Sequence, residues 1–143
     1  MPIFKTKKEL EQQLSIARQK GKLGLVPTMG ALHNGHISLV SKSNSENLTT
    51  VVTIFVNPTQ FDNKEDLSKY PSTLEADLLL INKISSDILV FAPNASEIYG
   101  STLKSKSYDF KGLDKVMEGA FRNGHFDGVG TIVETLLTLI KPD

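Results

Sequence analysis

Two histidines three residues apart, His33 and His36, stand in the stretch Pro27-Thr28-Met29-Gly30-Ala31-Leu32-His33-Asn34-Gly35-His36. On a helix that spacing puts both rings on one side. Gly35 between them has no Cβ to hold a ligand away from the backbone. A helix beginning here would add unpaired N–H groups and the positive end of its dipole, together an anion site. Imidazoles beside such a site suit phosphate groups, although a plain structural pair of histidines has the same letters. The chain has neither GxxxxGK[ST] nor a GxGxxG following a strand, so the two commonest phosphate loops are absent. Elsewhere, Arg18 and Arg122 are the only arginines among sixteen basic residues. Asn57-Pro58 taken alone reads as a turn. Glu75 and Asp77 read as first-turn helix acids rather than magnesium ligands.

These residues must be positioned by regular elements. Residues 5–20 place Leu10, Leu14 and Ala17 at helical spacing, with Gly21 as a stop. Leu23–Pro27 is a short apolar run ended by proline and reads as a buried strand. Residues 28–34 form a turn, and a helix is expected from about Gly35 to Ser45. Thr50–Val56 is almost wholly β-branched or aromatic, the pattern of a strand covered on both faces. Residues 57–72 look like a loop. Thr73 would cap a helix running to about Ile84, and Asp87–Phe91 is a third buried strand. Between Ala95 and Gly124 the pattern weakens, with an edge strand near 107–110 and a helical turn near 113–117 the best readings. Asp127–Ile140 carries a long apolar face and reads as a helix. The alternation of helix and strand predicts an α/β fold, a doubly wound parallel sheet in one domain. A further strand would be expected after Ile140, so a final element of the sheet and the remainder of the protein are expected beyond Asp143.

Composition narrows the class of function. The 143 residues suffice for one core, and sixteen acidic residues balance the sixteen basic ones. Zero net charge supplies no electrostatic pull toward nucleic acid or an anionic membrane. Without cysteine there is no disulfide framework and no thiolate metal site. No apolar run approaches the roughly 18 residues of a membrane span, and the N-terminus lacks the apolar stretch of a secretory signal. A cytoplasmic location is the expectation.

The HxGH pattern between strand and helix resembles the signature of the Rossmann-like nucleotidylyltransferase and class I aminoacyl-tRNA synthetase superfamily. The longer string VPTMGALHNGHISLV is similar to one branch of it, the pantoate–β-alanine ligases. TIFVNPTQF (53–61), EDLSKYPSTLEADL (65–78), DILVFAP (87–93), EIYG (97–100), MEGAFRNGHFDGVGTIV (117–133) and the closing IKPD agree with that family in order and spacing. The resemblance implies an N-terminal nucleotide-binding domain over residues 1–143, lacking the lid. ATP, with Mg2+, would be used to activate pantoate for coupling to β-alanine, and the family suggests a homodimer. Met29, Gly30, Ala31, Leu32, His33, Asn34, Gly35 and His36 would bind ATP. His33 and His36 would stabilise charge while the pantoate carboxylate attacks the α-phosphorus; the carboxylate is already ionised at neutral pH, so neither need donate a proton. Gln60, whose amide both donates and accepts, would hold pantoate together with Pro27, Asn57, Arg122, Ile132 and Val133. His125 would share the Arg122 loop. No residue is assigned to a metal.

Two departures stand out. The family usually has proline where this chain has Asn123, and arginine where it has Ser72. The family's longer members continue with GEKDxQQ and SSRN segments that supply a lysine, a second glutamine and closure over the phosphates. The 143 residues alone are therefore expected to bind ATP weakly and to turn over negligibly. The runner-up reading is a nucleotidylyltransferase acting on a phosphorylated acceptor. The neutral amide of Gln60, where a phosphate would call for Arg or Lys, speaks against it. A non-catalytic module keeping the fold is the third.

Overall fold

The computed structural model describes residues 2–56, 74–99 and 125–143. Their elements, in chain order, are β1 (Ile3–Phe4), α1 (Lys7–Lys20), β2 (Leu23–Thr28), α2 (Asn34–Glu46), β3 (Thr49–Ile54), α3 (Leu74–Ile84), β4 (Leu89–Phe91), α4 (Ala95–Tyr99) and α5 (His125–Ile140). The strands form one sheet in the order β1-β4-β3-β2, and every pairing is parallel. β2 and β3 run in register from Leu23 opposite Thr49 to Thr28 opposite Ile54.

Alternation along the strands explains why helices must cover both faces. One cluster gathers Leu23, Val51, Leu89 and Phe91 from the strands with Leu10 and Leu14 of α1 and Ile132, Leu136 and Ile140 of α5. The other gathers Val26, Val52 and Val90 with Val40 of α2 and Ile81 of α3. Adjacent residues of a single strand, Val51 and Val52, are each fully buried, one in each cluster. Each such side chain contributes about 1.5–3 kcal/mol on burial. The doubly wound parallel sheet expected from the sequence is the one observed.

The expected helices appear with their ends within two residues of the expected ones, and two differences have physical causes. First, β2 does not stop at Pro27 but continues to Thr28. Proline removes one backbone donor but leaves the groups of its neighbours free to pair with β3. The Thr28 hydroxyl donates to the Thr53 carbonyl at 2.8 Å and Phe55 N–H donates to the Thr28 carbonyl at 3.0 Å, so pairing persists past the proline. Second, β1 and α4 are too short for periodicity to reveal. β1 is held on β4 by Val90 and Ala92 N–H groups donating to Pro2 and Phe4 carbonyls at 3.0 and 2.9 Å. Arg18, one of the chain's two arginines, donates from its guanidinium to the Ile140 carbonyl at the end of α5, a favourable cation at a helix C-terminus. The pieces expected near 107–110 and 113–117, and the Thr73 cap, lie outside the described residues.

α2 packs closely on β2 because Gly24 permits it. A Cβ on Gly24 would come within 2.3 Å of Ser43 Oγ and 2.5 Å of Asn47 Nδ2, both on or beside α2. This contact sets the height of α2, and so of the loop that enters it.

Candidate functional site

The segment joining β2 to α2 leaves the carboxyl end of the sheet, where ligands bind in open α/β folds. It begins with a left-handed turn: Gly30 has φ +83° and Ala31 φ +52°. For alanine that conformation costs roughly 1–2 kcal/mol, so something must hold it. The holder is Asp77, in the first turn of α3 and only 2% exposed. Its Oδ2 accepts the Ala31 N–H and its Oδ1 the Leu32 N–H, each at 2.9 Å. Hydrogen bonds to a charged group are worth about 1.5–3 kcal/mol each, enough to outweigh the strain and to satisfy a carboxylate withdrawn from water. Gly30 lies against the same carboxylate: a Cβ there would sit 3.1 Å from Asp77 Oδ2 and 3.3 Å from Ile54 Cγ2. Just upstream, the Gly30 N–H donates to Thr28 Oγ1 at 3.2 Å.

Beyond the turn, His33 becomes the N-cap of α2 and His36 its third residue, and the two form a reciprocal capping box. His33 Nδ1 accepts the Gly35 N–H at 3.0 Å, and His36 Nδ1 accepts the His33 N–H at 3.1 Å. The role more often filled by Ser or Thr with Glu is here taken by two imidazoles. Their centroids are 4.0 Å apart, with the planes tilted by 40°. An Nδ1 that accepts carries no proton, so each neutral ring bears its hydrogen on Nε2. Burial, and then the neighbouring His33, lower the His36 pKa below its ordinary 6.5, while Asp77 works in the opposite direction. Both effects that lower it favour the neutral ring that the cap requires.

This geometry revises one expectation. The helix start was expected to offer unpaired N–H groups, but the amides of Gly30, Ala31, Leu32, His33 and Gly35 are engaged by Thr28, Asp77 and the histidines. These five amides are thus already engaged, and the Nε2–H groups are the donors left on the two rings.

The stretch Met29–His36, expected to bind ATP, is contiguous and brings His33 and His36 together. Pro27, exposed, lies directly before it in β2. Ile132 is 7% exposed and packs in the cluster on the sheet face opposite α2, whereas Val133 on the same helix is 37% exposed. Ile132 is therefore buried in that cluster, as its helical spacing allows. Asn57, Gln60, Arg122 and the departures Ser72 and Asn123 lie outside the described residues. A cleft of about 290 Å³ opens at the carboxyl ends of β3 and β4, lined by Lys5, Ile54, Phe55, Val56, Leu74 and Asn94 among others. The larger groove, about 620 Å³, runs between β2, α2 and Pro142–Asp143 and is lined by none of residues 29–36. Among the described residues no group of three His, Cys, Asp or Glu could hold a metal, and no helix is long and apolar enough to cross a membrane.

Asp77 is the residue that reading the sequence undervalued. Glu75 and Asp77 are both first-turn acids, as expected, but Glu75 is exposed whereas Asp77 is buried and bonds the loop. The available signal was its place four residues before Ile81, the buried residue of the same helix. An acid on the apolar stripe needs a partner.

Comparison with known proteins agrees with this architecture. The family profile described as pantoate-beta-alanine ligase matches residues 2–143. A pantothenate synthetase of Christiangramia forsetii is 53% identical over 144 aligned residues, covering 100% of this chain and 51% of the relative. That of Bacteroides thetaiotaomicron is 50% identical, covering 100% and 50%. The chain thus spans about half the length of these curated relatives. Among solved structures, the pantoate-beta-alanine ligase of Francisella tularensis, described as complexed with beta-gamma ATP and beta-alanine, superposes with a TM-score of 0.90. It is 40% identical, over 99% of this chain and 54% of that one. The pantothenate synthetase of Thermus thermophilus gives 0.88 at 39% identity, over 99% and 50%. Alternating cores on one parallel sheet, an HxGH capping box at its carboxyl edge and a match along nearly the whole chain lead to one conclusion: the chain belongs to the pantoate–β-alanine ligase family.

Proposed function

We propose that this chain is the nucleotide-binding part of a longer cytoplasmic, homodimeric enzyme that condenses pantoate with β-alanine at the expense of ATP. The observation that carries the reading is the capping box, which frees two neutral Nε2–H donors at the carboxyl edge of the sheet. A family relative described in complex with an ATP form and β-alanine supports it.

In the first step a pantoate carboxylate oxygen bonds to the α-phosphorus of ATP, and the bond from that phosphorus to the α,β-bridging oxygen breaks. Pyrophosphate leaves with the electron pair. In the second, the amine of β-alanine attacks the acyl carbon, the bond to AMP breaks, and the amine proton passes to solvent. His33 and His36 donate Nε2–H to phosphate oxygens as charge moves onto them, without surrendering a proton. Donors fixed in advance and aimed at developing charge are the most effective kind. Gln60 and Asn57 hold pantoate, with Pro27, Arg122, Ile132 and Val133 contributing to its surroundings. Mg2+ would enter on the triphosphate itself, since it binds readily through substrate phosphates.

Pyrophosphate release by the full-length protein tests the reading. Release from ATP that requires pantoate but proceeds without β-alanine is the expected result. Release indifferent to pantoate, or a requirement for a phosphorylated acceptor in its place, overturns it.

A further inference from the structure

The buried carboxylate of Asp77 reaches out of α3 to a loop more than forty positions earlier in the chain. Its two oxygens take two successive amides, Ala31 and Leu32, at the one point where the backbone turns left-handed on a residue other than glycine within that loop. One residue further on, the His33–His36 capping box begins. An acid used only to favour the N-terminus of its own helix would face solvent, as Glu75 does; Asp77 is 2% exposed. The turn it holds decides where His33 starts α2, and therefore where both Nε2 atoms point.

We propose that Asp77 is a positioning residue of the reaction: it clamps the Gly30–Leu32 turn so that the two imidazoles meet the triphosphate already oriented. The inference rests on the ATP reading above and goes beyond it, since Asp77 needs no contact with substrate. Asp77 also raises the His36 pKa, opposing the larger effects of burial and His33, as expected of a carboxylate near that ring.

The test uses full-length protein with Asp77→Asn, which keeps the shape but sets an amide NH2 against one backbone N–H, and Asp77→Glu, which keeps both acceptors. Gly30→Ala attacks the same clamp from the loop side and serves if Asp77→Asn does not fold. Misplacing reacting groups by about 1 Å can cost around a hundredfold. Asp77→Asn is therefore expected to lower kcat/KM for ATP by about ten- to a hundredfold. KM for pantoate should stay within about threefold and the circular dichroism should be unchanged, with Asp77→Glu restoring part of the loss. Titration with a non-hydrolysable ATP analogue should show weaker binding by Asp77→Asn and by Gly30→Ala. Wild-type kcat/KM in folded Asp77→Asn overturns the proposal. So does a loss shared equally by ATP and pantoate that disappears on cooling, which marks a merely structural carboxylate. Wild-type protein that binds the analogue yet shows no pantoate-dependent pyrophosphate release overturns the ligase reading alone, and the clamp is then judged by the analogue titration.

Discussion

At His33 and His36 the two ring nitrogens divide the work, Nδ1 serving structure and Nε2 the chemistry proposed above. Each Nδ1 is committed to a backbone N–H, which fixes the tautomer and leaves Nε2–H to act. His36→Ala in the full-length protein should lower kcat at least tenfold, the conservative end of what a lost charge-stabilising donor costs. Its melting temperature should change by no more than a few degrees, because loss of a cap costs only about 1 kcal/mol. Unfolding at ambient temperature would instead mark His36 as a core histidine. The pH profile follows from the direction of the shift. With the His36 pKa below 6.5, the ring stays neutral through pH 7, and kcat/KM for ATP should be flat there and decline only below pH 6.5. The contribution to stability has the same sign: an unfolded His36 takes up its proton first, so stability is lost as pH falls from 6.5 through the lower folded value. The histidine pair was legible in the letters because its spacing is local. Asp77 was not, since a carboxylate 44 positions from His33 declares its partners only once the sheet has brought α3 beside the loop.

Helices and strands were easier to read than their junctions. The β3 core and the apolar faces of α1 and α5 follow from alternation and 3.6-residue periodicity, signals carried by many residues at once. β1 and α4, with two and five residues, offer periodicity nothing to work on. Pro27 misled because a proline removes a single donor, and whether pairing resumes beyond it, as it does at Thr28, is a property of the assembled sheet. The same logic gives Gly24 its weight. Gly24→Ala would drive a Cβ into Ser43 and Asn47, and α2 must then lift from β2. A destabilisation of about 1–3 kcal/mol is expected from such overpacking, measurable by urea denaturation. Since α2 carries the capping box, kcat/KM for ATP should fall as well. A stable Gly24→Ala protein with full activity would show that the height of α2 does not govern the site.

For the molecule as a whole, the half-length match to its relatives matters most. The resemblance implies that groups closing over the triphosphate lie in the other half, and charge-stabilising groups that act together are lost together. The 143-residue chain by itself should therefore release pyrophosphate at a rate indistinguishable from background, while the full-length protein does so with pantoate. Comparable rates would place the complete site within these residues. What the chain does hold is the pair of oriented imidazoles, and they can be watched directly. In full-length protein with 15N-labelled histidine, assigned by comparison with His33→Ala and His36→Ala, both rings should show an unprotonated Nδ1 and a protonated Nε2. Both Nε2 resonances should then move when a non-hydrolysable ATP analogue is added. Protons on Nδ1, or Nε2 signals that ignore the nucleotide, would contradict the account.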